Sequence, residues 1–337
     1  MLVSVVMPMH NESDYIEESI NSILNQTYEN FEFIIIDDCS TDDSVEKVKN
    51  IKDNRINLIE LSKNMGVSHA VNIGIKNSRG DYIVRMDADD ISTRDRIEKL
   101  IAFAQKQDVD LIGSQFDVFS NSNIPDGLYR FMNYSNKIIE PKEIIDNFTV
   151  MIPVSQPTFC IKKDIFKEGF WYNTNLLTAE DYEFLGRLLI NNKKVCKVPE
   201  KLVCYRYVNL SLSNSRKIET TINSIKIKLD FVFKYYNLKR KGKKNVYIWG
   251  TKEFAGYLYD ELKKPQYDTC VKAFTDFNSQ KWGKTIKGLP VISPTEMIKK
   301  LNKDDFVITI WNLERTAIMN FLADNGLQMN SDYFVFS

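Results

Sequence analysis

Four short apolar runs near the start of the chain, residues 2–7, 33–36, 56–61 and 82–86, are each followed by a polar or acidic cluster. These clusters are Asn11-Glu12, Asp37-Asp38, Asn64 and Asp87/Asp89/Asp90. Between the runs, apolar residues recur at helical spacing: Ile16, Ile20, Ile23 and Leu24; Val45, Val48 and Ile51; Val67, Ala70, Val71 and Gly74. Ile97, Leu100, Ile101 and Ala104 form the next stripe, and residues 109–112 open a further strand. Strands alternating with helices of about 10 residues predict a mostly parallel sheet covered on both faces, an α/β fold. Such sheets bind ligands beyond the carboxyl ends of their strands. The four clusters are therefore expected to converge on one edge.

A chain of 337 residues suggests two domains at roughly 150 residues each. Lys plus Arg and Asp plus Glu both number 45, so the net charge is zero and no nucleic-acid partner is expected. With 13 glycines and 9 prolines, collagenous and low-complexity readings are excluded. No apolar run approaches the ~18 residues of a membrane span, and no basic segment precedes the first apolar stretch, so a secretory signal is not expected. The cysteines (Cys39, Cys160, Cys196, Cys204, Cys270) are odd in number and widely spaced, which implies neither a disulfide framework nor a zinc site. The expected compartment is the cytoplasm. The only histidines are His10 and His69, so carboxylates must carry acid–base chemistry.

Residues 118–215 are less regular and hold a second acidic pair, Glu180-Asp181, ahead of an apolar helix with Tyr182, Leu185, Leu188 and Leu189. Residues 216–244 carry Arg216, Lys217, Lys226, Lys228, Lys234, Lys239, Arg240, Lys241, Lys243 and Lys244 against Glu219 and Asp230, ten positive charges against two. They are expected to form a basic helical connector. Its plain reading is a solvated linker, and its sharper one is a peripheral membrane contact through anionic lipid. Residues 245–337 restart a strand–helix alternation, with strands at 246–249, 271–275 and 306–310.

Asp87 and Asp89, one residue apart after a strand, suit a hard divalent cation, Mn(II) or Mg(II), that also keeps phosphate oxygen as a ligand. Such an ion would stabilise charge on a departing diphosphate. Each acidic cluster alone reads equally as a turn or a helix cap. Their joint placement after successive strands favours a site.

The segments Val3-Ser4-Val5-Val6-Met7-Pro8-Met9-His10-Asn11-Glu12, Ser22-Ile23-Leu24-Asn25-Gln26-Thr27-Tyr28 and Ile36-Asp37-Asp38-Cys39-Ser40-Thr41-Asp42 resemble the opening of family-2 glycosyltransferases. Asn64-Met65-Gly66-Val67-Ser68, Asn72-Ile73-Gly74-Ile75 and Met86-Asp87-Ala88-Asp89-Asp90 continue the resemblance, which covers roughly residues 1–215. It implies a GT-A fold (a nucleotide-sugar-binding sheet flanked by helices), a nucleotide-sugar donor and inversion at the anomeric carbon. It further implies that Pro8, Asn11, Glu12, Asp38, Asn64 and Ser68 line the nucleoside pocket, with Asp38 at the base. Asp87 would contact the ribose or diphosphate region and Asp89 the metal. Thr178-Ala179-Glu180-Asp181-Tyr182-Glu183 resembles the family's Glu-Asp motif, with Asp181 as the base and Glu180 on sugar hydroxyls. Residues 205–213 resemble the segment that closes over the diphosphate. Arg206 there either neutralises the diphosphate or serves as a structural ion-pair partner.

The sequence departs from the family at His10, where tyrosine is usual, at Gln156-Pro157, where many relatives have His-Pro, and at Val208, where a histidine is common. Trp171, with Phe131, Tyr134, Phe170 and Tyr172, is a candidate to stack on acceptor sugars or to sit in the core. The last unit resembles small Rossmann-like domains of sugar-modifying enzymes. Lys252 replaces a glycine of the phosphate loop, so an interaction or homo-oligomer role is expected there rather than dinucleotide binding. The expected organisation is a GT-A domain over 1–215, a connector over 216–244 and a Rossmann-like accessory domain over 245–337. The expected activity is metal-dependent transfer of a hexosyl or N-acetylhexosaminyl group from a UDP-sugar to a cell-surface glycan or lipid-linked saccharide. A nucleotidyltransferase and a non-catalytic nucleotide-sugar-binding subunit are the alternatives. Residues 7–12 lack the Gly-rich basic loop of the first.

Overall fold

The computed structural model describes residues 1–208, 216–236, 244–310 and 315–336. The chain divides into two compact units, one of residues 1–145 and 152–217, the other of residues 146–151 and 218–337.

The first unit is built on an eight-stranded sheet. Its first half is parallel: β1 (Val3–Met9), β2 (Phe31–Asp37), β3 (Ile56–Glu60) and β4 (Tyr82–Arg85) lie in the order β3-β2-β1-β4. Helices α1 (Ile16–Leu24), α2 (Ser44–Asn50) and α3 (Val67–Asn77) make the crossovers. β1 and β2 are buried on both faces, hence their continuous Val/Ile/Phe composition. The sheet then departs from the parallel expectation. β5 (Ile91–Ser92) and β7 (Cys160–Lys162) run antiparallel to their neighbours, while β6 (Leu111–Phe119) and β8 (Val195–Arg206) pair parallel. Helix α4 (Arg96–Lys106) buries Ile97, Leu100, Ile101 and Ala104, the stripe its sequence announces.

Two glycines permit close approach. A Cβ on Gly74 would lie 2.5 Å from both Ile36 Cδ1 and Val6 Cγ1, so α3 rests directly on β1 and β2. A Cβ on Gly80 would lie 2.6 Å from the Ser4 backbone nitrogen and 2.8 Å from Val3 C. Backbone cannot yield as a side chain can. Gly80→Ala should therefore lower stability by about 2–3 kcal/mol, seen as a lower urea midpoint at unchanged m.

The second unit holds a six-stranded sheet in the order β11-β12-β10-β9-β13-β14. Its strands are β9 (Lys244–Trp249), β10 (Thr269–Thr275), β11 (Thr285–Ile286), β12 (Leu289–Ile292), β13 (Phe306–Ile310) and β14 (Tyr333–Phe336). All pairs but β11–β12 are parallel. The expected free connector is absent as such. The helix Lys217–Tyr235 belongs to this unit and packs Ile225, Leu229, Val232 and Phe233 against Val246, Ile248 and Phe334. The physical reason is an apolar stripe interleaved with the charges. Lys228 and Lys244 are themselves buried, so they add nothing to an outer basic surface. Lys239, Arg240, Lys241 and Lys243 lie outside the described residues. Among the described residues no helix is long and apolar enough to cross a membrane.

Candidate active site

The loops after β1 and β2 are knitted together by side chains of the sequence clusters. The Asn11 amide N–H donates to Ser40 Oγ (2.9 Å) and Thr41 N–H to Asn11 Oδ1 (2.8 Å). Glu12 N–H donates to Ser44 Oγ (2.8 Å), and Asp38 N–H to the Met9 carbonyl (2.8 Å). Asn11 and Cys39 hold left-handed backbone, φ 57° and 64°, a strained state common at functional sites. Asn11, Glu12 and Asp38 thus lie together just beyond β1 and β2, while Pro8 lies within β1 and Ser68 in the first turn of α3.

Asp38 is engaged differently from the expectation. Its two oxygens accept the N–H groups of Met65 and Gly66, both at 2.7 Å, so it shapes the entry to α3. Any contact to a base would use the remaining lone pairs. Asn64 is exposed in the same loop, and the buried Ser68 hydroxyl has no partner.

β4 delivers the acids. Asp87 accepts a hydrogen bond from Arg85 Nη2 at 2.5 Å. Arg85 is 1% exposed, and its Nη1 donates to the Met86 carbonyl. Asp90 is fully buried, and its Oδ1 accepts the Arg206 N–H (2.8 Å). Burial pushes Asp89 up to about 7, and Asp87 adds to the rise, while Arg206 and Arg85 oppose it. Burial likewise raises Glu12 to about 8, with Asp89 and Asp87 contributing. Asp90 is driven well above its ordinary value by burial and then by Asp89 and Asp87. An excess of carboxyl oxygen over cationic partners is a hard donor set that fits a divalent cation. Yet among the described residues no group of three or more His, Cys, Asp or Glu side chains is arranged to hold one.

Glu180 and Asp181 open α5 (Glu180–Ile190), after Ala179 at φ 62°. Burial lifts Glu180 to about 8, with Asp181 next in effect, and lifts Asp181 to about 6. Arg85 acts on both and on Asp89, and Asp87 acts on both. The two acidic motifs, more than 90 residues apart in sequence, therefore share one electrostatic environment. Arg85 is the residue that sequence reasoning missed. Its signal was a lone charge inside the apolar run 82–86. Arg96 was missed as well. It is fully buried and donates to the carbonyls of Arg85 (2.7 Å) and Pro157 (2.6 Å).

Arg206 takes the structural alternative in this arrangement. Its Nη2 donates to Glu18 (2.5 Å) and its Nε to the Asp89 carbonyl (2.7 Å), and it lies between the Tyr15 and Phe119 rings. Residues 209–213 of that segment lie outside the described residues. Trp171 packs on Phe166 and beneath Lys76, while its carbonyl accepts Arg187 Nη2 (2.6 Å). In the second unit Asp276, just after β10, is tied to Lys281 (2.7 Å), Thr251 (2.6 Å) and the Asn278 N–H (3.0 Å).

The family model described as "Glycosyl transferase family 2" matches residues 4–170. An uncharacterized glycosyltransferase of Haemophilus influenzae is 32% identical over 244 residues, 70% of this chain and 75% of its own length. The uncharacterized glycosyltransferase MJ1057 of Methanocaldococcus jannaschii is 34% identical over 262 residues, 74% of this chain and 84% of its own. Residues 1–349 of S. aureus TarS, solved in complex with UDP-GlcNAc, align over 96% of this chain and 80% of that one, with a TM-score of 0.57 and 17% identity. The strand order, the buried acids at the strand ends and this similarity agree on the GT-A architecture, and the chain belongs to glycosyl transferase family 2.

Proposed function

We propose that the first unit transfers a sugar from a UDP-sugar to a hydroxyl of a saccharide acceptor, with inversion at the anomeric carbon. The observation that carries this reading is the meeting of Asp87 and Asp89 with Glu180 and Asp181 around the buried Arg85. Asp181 takes the proton of the acceptor hydroxyl as that oxygen bonds to C1. The C1–oxygen bond to the diphosphate breaks, and UDP leaves with the electron pair. Glu180 holds sugar hydroxyls. Pro8, Asn11, Glu12, Asp38, Asn64 and Ser68 enclose the nucleoside. Asp87, oriented by Arg85, stands at the ribose–diphosphate side. Asp89 would hold a divalent cation. When bound, Mn(II) or Mg(II) supplies positive charge against the leaving diphosphate. A surface glycan or lipid-linked saccharide is the acceptor class, a hexosyl or N-acetylhexosaminyl group the one transferred, and the cytoplasm the compartment. The second unit serves association rather than dinucleotide binding, a reading supported by Asp276 being engaged by Thr251, Lys281 and the Asn278 N–H.

The test is UDP release from a panel of UDP-sugars, with and without Mn(II), in wild type and Asp89→Ala. Donor hydrolysis needs no acceptor. Metal-dependent release from one donor, lost in the variant, is the expected result. Release from none, with no UDP binding by calorimetry, would overturn the reading.

A further inference from the structure

Two buried polar groups beside the acid pair have no role so far. The Tyr172 hydroxyl and the Gln156 amide nitrogen Nε2 lack hydrogen-bond partners, although the residues are only 3% and 7% exposed. An unpaired buried polar group costs about 1–3 kcal/mol, and native structures rarely leave one without reason.

Both side chains are held in place from several directions. The Tyr172 N–H donates to Asn72 Oδ1 (3.0 Å), and Asn72 Nδ2 donates back to the Tyr172 carbonyl (2.9 Å). The Tyr172 ring stacks on Phe184 of α5, with centroids 4.4 Å apart and planes 4° from parallel. Gln156 begins the short turn Gln156–Thr158. Arg96 grips that turn through the Pro157 carbonyl, and the Arg85 N–H donates to the Phe159 carbonyl just after it (2.9 Å). Burial drives the Tyr172 phenol far above its ordinary pKa, Arg85 and the facing Gln156 side chain oppose the rise, and Asp181 and Glu180 add to it. Arg85 also holds Asp87, and its Nε has no partner either.

A sugar in transit must reach from the diphosphate side, at Asp87, to the base, at Asp181. The unpaired O–H and N–H groups stand among the residues that bound this span. They are donors, fixed in position, and would match an oxygen substituent of a pyranose: a ring hydroxyl or the carbonyl of an N-acetyl group. We propose that the Tyr172 hydroxyl and the Gln156 carboxamide hydrogen-bond one oxygen substituent of the transferred sugar and set which sugar is accepted. The inference rests on the glycosyl-transfer reading above and names the specificity residues of that site. The stacking face of Tyr172 belongs to the core, as the sequence alternative had it, while its polar tip belongs to the ligand.

The full chain is tested as Tyr172→Phe and, separately, Gln156→Met, with kcat/KM measured for UDP-glucose, UDP-galactose, UDP-GlcNAc and UDP-GalNAc and a thermal melt of each protein. The Tyr172 hydroxyl makes no well-formed hydrogen bond within the fold and only faces the Gln156 side chain, so Tyr172→Phe should leave the melting temperature nearly unchanged. Its kcat/KM for the preferred donor should fall about tenfold, and the preference over the other donors should narrow by a similar factor. A structural role would instead lower the melting temperature and scale all donors alike. Wild-type donor ratios in both variants would overturn the proposal while leaving glycosyl transfer intact. A wild-type protein that neither turns over any UDP-sugar nor binds UDP would overturn both.

Discussion

Asp181→Asn is expected to fold normally and to transfer sugar about 10²–10⁴-fold more slowly than wild type. The amide keeps the shape of the carboxylate, and at the start of α5 it can still accept the Tyr182 N–H that Asp181 Oδ1 accepts at 2.7 Å. It cannot take a proton from an attacking hydroxyl. The pH profile gives a second reading. Burial lifts the Asp181 carboxyl to about 6, with Asp87 adding to the rise and the Tyr182 N–H opposing it. The base works only when ionised. The wild-type kcat/KM should therefore fall about tenfold per pH unit below about 6 and level off above it. The asparagine variant should show no such limb. Ordinary turnover by a folded Asp181→Asn protein would remove the residue from the mechanism.

Arg85→Met should be the most damaging single change to stability, by about 3–5 kcal/mol in urea melts at pH 7.5. The guanidinium is buried and ion-paired to Asp87, and it acts on Asp89, Glu180 and Asp181 together. Methionine fills much of the space but leaves these acids without their shared cation. The sign of the pH dependence follows. Losing a positive charge moves the folded-state pKa values of the acids further above their unfolded values. The folded state then binds more protons, and the stability this gives is present at low pH and lost as pH rises through those values. The deficit of Arg85→Met should therefore shrink toward pH 5 and grow toward pH 8. Arg85→Lys should recover part of it. A methionine variant within about 1 kcal/mol of wild type at pH 7.5 would show that the acids already sit protonated or solvated without Arg85.

The parallel half of the first sheet was legible because β1, β2 and β4 are buried on both faces and are closely followed by Asn or Asp. An apolar run followed by an acid marks both a strand and its carboxyl end. The antiparallel half was not. β5 is two residues long, too short for any period, and β7 sits in a turn-rich stretch where Gln156-Pro157 masks its approach. The helix Lys217–Tyr235 was visible as a helix but misread as solvated, since its lysines obscure the apolar positions 225, 229, 232 and 233. In the site, the carboxylates announced themselves by position. The arginines that organise them did not, because pairing across Arg85, Asp87 and Glu180 depends on three-dimensional proximity. Asp38 shows the converse: its place was readable, but its two backbone partners in the 65–66 turn were not.

The interrupted path of the chain bears on how the gene can be divided. Residues 146–151 lie within the sequence of the first unit but are part of the second, where Phe148 packs on Phe231 with ring centroids 4.3 Å apart and Val150 is buried. A single stop codon after residue 217 would strand Phe148 and Val150 as sticky surface on an otherwise intact sheet. A start codon at 218 would leave Phe231 facing a void. A clean excision needs the hexapeptide replaced by a polar bridge in one product and supplied separately to the other. Division of the chain at the apparent boundary is therefore expected to yield aggregation-prone halves rather than working modules.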